Sequence, residues 1–107
     1  MSSELKVREE QSKGVVTISI SGEVDIYTSQ GLKEKLYQIA DTTQLDIKID
    51  CKELNYIDST GLGIFVGALK RAKQNDKKIY ISNLKESIKK LFIITGLDKV
   101  FIMSDDI

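Results

Sequence analysis

The chain has 107 residues, 41% of them apolar and 30% charged, and its sixteen basic residues balance sixteen acidic ones. This composition predicts one soluble globular domain over residues 1–107. A net charge of zero provides no global field for DNA, RNA or anionic lipid, so we expect no nucleic-acid or membrane role. There is no His, which excludes His-based nucleophile pairs and the commonest zinc ligand.

The location of the protein is predicted from its single cysteine and its apolar runs. Cys51 has no partner for an internal disulfide, which favours a reducing compartment, and it ends an apolar run as a small buried side chain would. No run has the length of a signal peptide or a membrane span. We therefore expect a cytoplasmic protein.

The first half of the chain predicts a hairpin followed by a helix. Residues 15–21 alternate apolar and polar side chains, as in a half-buried strand, and a weaker strand begins at Leu5. Residues 9–14, EEQSKG, end in glycine and read as the turn between them. Residues 28–40 follow with apolar side chains at helical spacing behind Thr28, a possible N-cap.

The second half predicts alternating strands and helices. Strands are expected at residues 45–50 and 77–82, with a helix beginning near Ser59 or Thr60 between them. A third helix spans 85–97, with Gly96 as its left-handed C-terminal residue, and a short strand follows at 100–103. The fold class is therefore α/β, in the order β-β-α-β-α-β-α-β, with parallel pairs after an antiparallel N-terminal hairpin.

The turn DSTGLG, residues 58–63, is the main candidate site. A hydroxyl of Ser59 or Thr60 can cap the helix, which stabilises it by about 1 kcal/mol. Capping does not explain Gly61 and Gly63, each of which costs the helix up to about 1 kcal/mol relative to Ala. Their presence predicts that another molecule approaches this backbone closely, so Asp58 to Gly63 form a candidate contact surface.

One interpretation of this turn is a variant dinucleotide fingerprint. The glycines would be Gly61, Gly63 and Gly67, with Asn83 near the ribose. Such glycines should follow their strand almost at once, whereas ten residues, CKELNYIDST, separate Asp50 from Gly61. The chain also lacks room for a second mononucleotide half, and it has no P-loop pattern.

In a second interpretation, Ser59 receives a phosphate from another protein. The positive end of the helix would stabilise the added anion, while the neighbouring Asp58 would oppose it. The modified state would then be tolerated and reversible. This interpretation accounts for every residue of the turn.

Three segments carry a family resemblance: NYIDSTGLGIFVGALKRAK, SGEVDIYTS and KKLFIITGL. Together they resemble the bacterial anti-sigma factor antagonists of the general stress type, which are small single-domain members of the STAS family. The likeness covers nearly the whole chain. It implies a single STAS domain with a mixed central sheet.

The resemblance also implies a mechanism. The phosphate acceptor of the family corresponds to Ser59, and Asp25 corresponds to an acid that lies near it. The unphosphorylated protein would bind an anti-sigma factor and free the sigma factor. The same anti-sigma factor would be a Ser kinase that phosphorylates and releases its antagonist, and a metal-dependent Ser phosphatase would reset the switch.

Within this interpretation the protein is not an enzyme and carries no cofactor, because ATP and Mg²⁺ belong to the kinase. The alternatives are a STAS scaffold that never exchanges phosphate and a small nucleotide-binding enzyme fragment. One departure from the family is Ile93, where relatives tend to carry an acid, which bears on partner choice.

Several other side chains have competing interpretations. Asp25 is either a turn acid before the first helix or part of the site, and Glu23 reads as a solvated charge at a strand end. Ile26 and Tyr27 are either core residues or rim contacts. The helical spacing predicts that two further apolar residues, Leu62 and Phe65, lie in the core.

Overall fold

The computed structural model describes residues 4–104, so residues 1–3 and 105–107 of the expected domain lie outside the described part. The elements are β1 (Leu5–Ser12), β2 (Val15–Val24), α1 (Ser29–Thr42), β3 (Asp46–Ile57), α2 (Ser59–Gln74), β4 (Ile79–Ser82), α3 (Glu86–Ile94) and β5 (Ile102–Ser104). This is the α/β order expected from the sequence.

The five strands form one mixed sheet in the order β1-β2-β3-β4-β5. The β1-β2 pair is antiparallel and the other three pairs are parallel. Because the parallel strands follow one another in a single direction and crossovers are right-handed, α1, α2 and α3 all lie on the same face of the sheet. The carboxyl ends of β2, β3 and β4 consequently meet at one edge.

The core fills the space between the sheet and its helices. Every second residue is buried in residues 15–20 of β2 and in the first half of β3, including Val16, Ile18 and Ile20, as the alternation predicts. Cys51 is fully buried, and both desolvation and the negative charge of Asp50 raise the pKa of its thiol. An aromatic cluster of Phe65, Phe92 and Phe101 joins α2 and α3 to the end of the chain.

The N-terminal hairpin has a tighter turn than the predicted EEQSKG segment. The strands pair as far as Ser12 and Val15, so the turn consists of Lys13 and Gly14 alone. Both have positive φ, 57° and 78°, as a two-residue type I′ turn requires. The predicted turn begins too early because the last residues of β1 are all polar and show no alternation of apolar and polar side chains.

The third strand is the largest departure from the sequence prediction. It continues beyond the expected end at Asp50 to Ile57, for 12 residues in all. Opposite it, the pairing with β2 shifts register between Ser19 and Ser21 and again between Gly22 and Glu23. These bulges break the alternation of buried and exposed residues that reveals a strand in a sequence.

The remaining boundaries shift by a few residues. The third helix ends at Ile94 rather than 97, followed by Gly96 at φ 78° and a short 3-10 turn, Leu97–Lys99. The left-handed conformation expected of Gly96 is confirmed. The last strand spans 102–104 instead of 100–103. Among residues 4–104, no helix has both the length and the low polarity needed to cross a membrane.

Candidate functional site

The site lies at the sheet edge where β2 and β3 end side by side. The backbone N–H of Asp58 donates to the carbonyl of Val24 across 3.3 Å. Asp25 follows Val24 and Ser59 follows Asp58, so the two candidate segments are adjacent in space. The structure thus brings the SGEVDIYTS and NYIDSTGLG segments together.

Asp58 caps α2. Its Oδ1 accepts a hydrogen bond from the backbone N–H of Gly61 at 3.1 Å, and its carbonyl accepts from Leu62 at 3.0 Å. The expectation that Ser59 or Thr60 provides the capping hydroxyl is therefore wrong. An aspartate is an equally good N-cap, and its negative charge also interacts favourably with the positive end of the helix.

Ser59 and Thr60 occupy the first two positions of the helix and are both exposed. Within the described residues, neither hydroxyl takes part in a hydrogen bond. Backbone N–H groups in a first helical turn have no partner inside the helix. An exposed hydroxyl therefore lies beside polar N–H groups at a positively polarised end.

The three glycines of the helix have different environments. An added Cβ at Gly61 would lie 2.5 Å from Ile57 Cγ1 and 2.7 Å from Val24 Cγ1, so the helix packs directly on the strands there. At Gly67 a Cβ would collide with the hydroxyl of Tyr37 on α1. Only at Gly63 is there open space, with nothing within 4 Å.

These contacts correct the interpretation of the glycines. The missing side chain at Gly61 is required by packing inside the protein, and a role of Gly61 as a contact residue stays a prediction. Gly63 is exposed and stays a candidate contact residue. The missing side chain at Gly67 likewise serves helix packing, because Tyr37 lies against it.

Internal packing explains two of the three glycines in the dinucleotide interpretation, Gly61 and Gly67. Its third element, Asn83, donates from Nδ2 to Asp50 Oδ1 at 3.0 Å. The spacing argument against it was wrong, however, since β3 extends to Ile57 and Gly61 follows soon after the strand. Within the described part of the chain, no three His, Cys, Asp or Glu side chains cluster in a way that could hold a metal ion.

Asp25 organises the loop between β2 and α1. Its Oδ1 accepts from the backbone N–H of Tyr27 at 2.9 Å and of Thr28 at 3.1 Å, as in an Asx turn. The interpretation of Asp25 as a turn acid is therefore confirmed, and a role toward Ser59 stays a prediction.

Thr28 stands at the N-cap of α1, but its side chain does not cap the helix. The hydroxyl donates to the carbonyl of Glu23 at 2.7 Å and accepts from the N–H of Asp25 at 3.0 Å. Glu23, expected at a strand end, is the exposed penultimate residue of β2. The Thr28 hydroxyl thus links the end of the β2-α1 loop to its beginning.

The apolar candidates separate into two groups. Leu62 and Phe65 are buried, as their spacing predicts. Ile26 is 67% exposed and Tyr27 is 85% exposed, so they are not core residues. Ile93, the residue that departs from the family pattern, is also exposed, on α3.

Comparison with known proteins identifies the family. The sequence model of the STAS domain family matches residues 6–107, and the chain belongs to this family. It is 37% identical over 100 residues to the anti-sigma-B factor antagonist of Bacillus subtilis strain 168, covering 94% of this chain and 91% of that protein.

Solved structures share the fold. An anti-sigma factor antagonist from Mycobacterium paratuberculosis superposes with a TM-score of 0.85 at 22% identity, over 94% of this chain and 85% of that one. The Bacillus cell fate determinant SpoIIAA in its phosphorylated form gives a TM-score of 0.75 at 20% identity, over 95% and 92% of the two chains.

Proposed function

We propose that this protein is an anti-sigma factor antagonist whose binding is switched by phosphorylation of Ser59. The unphosphorylated form binds an anti-sigma factor and thereby frees a sigma factor, in the manner of a stress-response partner switch. The name of the Bacillus subtilis relative supports the partner, and the likeness covers 94% of the chain.

One observation carries the assignment of Ser59: among the described residues, its hydroxyl makes no hydrogen bond. Asp58 already caps the helix, and Ser59 is exposed at the first helical position. A phosphate there would lie beside unpaired N–H groups at the positive end of α2, which stabilises an anion. The modification is therefore compatible with the fold, and the fold likeness to phosphorylated SpoIIAA is in keeping with this.

Release follows from the cost of burying the new charge. A phosphoserine carries roughly −1.5 to −2 charges at neutral pH, and bringing it into a contact removes water from it. Asp25 and Asp58 lie on the two adjacent segments, and their negative charges repel the phosphate within the contact. A hundredfold loss of affinity needs only about 2.7 kcal/mol, which is within the range measured for single charges at interfaces.

The catalytic groups of the switch belong to its partners. The anti-sigma factor is itself the Ser kinase and provides ATP and Mg²⁺, and a separate metal-dependent Ser phosphatase restores the free hydroxyl. The antagonist is a cytoplasmic binding protein without a cofactor of its own. Besides Ser59, its contact residues are Asp25, Asp58, Thr60, Gly61 and Gly63.

Intact-mass measurement tests the proposal. The protein is incubated with the anti-sigma factor of the same organism and Mg-ATP, and we expect the addition of one phosphate. Fragment spectra should map it to Ser59, and the addition should disappear in Ser59→Ala but persist in the matched variant Thr60→Ala. Phosphate on Thr60, or full modification of Ser59→Ala, would overturn the assignment.

A binding measurement separates the switch from a scaffold that never exchanges phosphate. In calorimetric titrations against the anti-sigma factor, Ser59→Ala should bind as wild type does, and Ser59→Asp should bind much more weakly. Equal affinities for wild type, Ser59→Ala and Ser59→Asp would place Ser59 outside the contact and favour the scaffold.

A further inference from the structure

The loop between β2 and α1 displays two large apolar side chains beside the site. Ile26 is 67% exposed and Tyr27 is 85% exposed. We propose that these two side chains are the apolar anchor that holds the anti-sigma factor, with Ser59 as the switch next to it. This inference rests on the proposed function and extends it to the source of the binding energy.

The anchor loop is fixed by its own hydrogen bonds. Asp25 Oδ1 holds the N–H groups of Tyr27 and Thr28, and the carbonyl of Asp25 accepts from Ser29 at 2.8 Å. The Thr28 hydroxyl ties the far end of the loop to Glu23. A loop that is already ordered loses little conformational entropy on binding, so more of the contact energy appears as affinity.

The position of the loop makes it continuous with Ser59. Asp25 follows Val24, whose carbonyl accepts from Asp58 and whose side chain packs against Gly61 in the first turn of α2. A partner surface that covers the first turn of α2 therefore meets the β2-α1 loop next. Ile26 and Tyr27 are the large apolar side chains of that loop.

The proposed switch also requires a dry contact around Ser59. A phosphate in a wet, polar interface keeps its hydration and costs little, whereas a phosphate at the border of an apolar contact must lose water. Exposed aromatic and aliphatic side chains are the groups that exclude water at the centre of interfaces. Ile26 and Tyr27 supply such groups beside the acceptor.

Charge favours the anti-sigma factor over a second copy of this chain as the occupant. Residues 23–32 and 54–62 contain three carboxylates, Glu23, Asp25 and Asp58, and no Lys or Arg. Two copies that met through this edge would bring like charges together. The partner surface that fits is an apolar recess without carboxylates opposite this edge.

The chain provides a matched control for exposure. Ile94 is 80% exposed, but it is the last residue of α3. That helix starts after β4 at the same sheet edge as Ser59, so Ile94 lies about 12 Å further along the helix axis from that edge. Its truncation removes a similar exposed apolar side chain away from the proposed contact.

The test is calorimetric titration of the unphosphorylated protein with the anti-sigma factor of the same organism. We expect Tyr27→Ala and Ile26→Ala each to weaken binding at least tenfold and Ile94→Ala to leave it within twofold. Tyr27→Phe should retain binding within about threefold, because the ring and not the hydroxyl makes the contact. All four variants should melt close to wild type, since the altered side chains are exposed.

The outcomes distinguish the two proposals. If wild type binds and Ser59→Asp releases, but Tyr27→Ala and Ile26→Ala bind as wild type, the anchor is wrong and the proposed function stands. If wild type does not bind the anti-sigma factor, the proposed function fails first. Sedimentation of the free protein completes the test: self-association that Tyr27→Ala abolishes would assign the two side chains to a second copy and overturn the anchor.

Discussion

Replacing Gly61 with Ala is expected to destabilise the protein, whereas the same change at Gly63 is expected to stabilise it. The new Cβ at residue 61 would lie 2.5 Å from Ile57 Cγ1 and 2.7 Å from Val24 Cγ1, closer than real Cβ contacts allow. Both neighbours are buried, so they have little room to move. Overpacking of this kind costs about 1–3 kcal/mol, which exceeds the gain in helix propensity of up to about 1 kcal/mol.

At Gly63 only the favourable contribution applies. Nothing lies within 4 Å of the added methyl group, so Gly63→Ala should gain about 0.5–1 kcal/mol. Urea unfolding followed by far-UV circular dichroism measures both changes on the same scale. In a domain of this size each kcal/mol corresponds to a shift in Tm of roughly 4–8 °C. A Gly61→Ala protein as stable as wild type, or shifts of the same sign for both variants, would refute the packing argument.

The capping geometry predicts that Asp58→Ala loses about 1 kcal/mol of unfolding free energy while Ser59→Ala stays within about 0.5 kcal/mol of wild type, as measured by urea denaturation. The reverse order would show that Ser59 is the cap. Phosphorylation of Ser59 should leave Tm within about 5 °C of the unmodified protein, because the added anion lies at a positive helix end; a larger drop in a thermal melt would mean local unfolding. Burial raises the pKa of the Cys51 thiol, so ionisation in the unfolded chain should lower stability as the pH rises above about 8.5. Compared with Cys51→Ala, wild type should lose up to about 1.4 kcal/mol more per pH unit there, and parallel pH profiles in urea titrations would contradict this.

The order of elements could be predicted because the apolar patterns are local. Alternation in residues 15–21 and helical spacing in residues 28–40 each reflect burial on one face, and the structure has a strand and a helix there. The second half of β3 could not be predicted in this way. Its buried residues are Cys51, Leu54 and Ile57, three apart, because bulges with β2 change which side chains face the core.

Prediction of the candidate site from the sequence has the same limit, because it depends on contacts between distant parts of the chain. The segments that meet could be named from the sequence, but the assignment of roles within them could not. Whether Asp58 or a hydroxyl caps α2 depends on the backbone angle at the strand end, and whether a glycine faces inward depends on the depth of helix packing. Gly61 and Gly63 are alike in the sequence, and it is the packing of Gly61 against Ile57 and Val24 that distinguishes them.

The agreement between strand order and chain order has a consequence for how the protein reaches its native state. Each strand adds to the outer edge of the sheet formed by the strands before it, and no strand has to enter between two that are already paired. Every step closes a loop of one crossover only, which limits the entropy lost before new contacts form. The hairpin of β1 and β2 is the most local pair and a natural starting point, from which assembly can proceed toward β5 in the direction of synthesis.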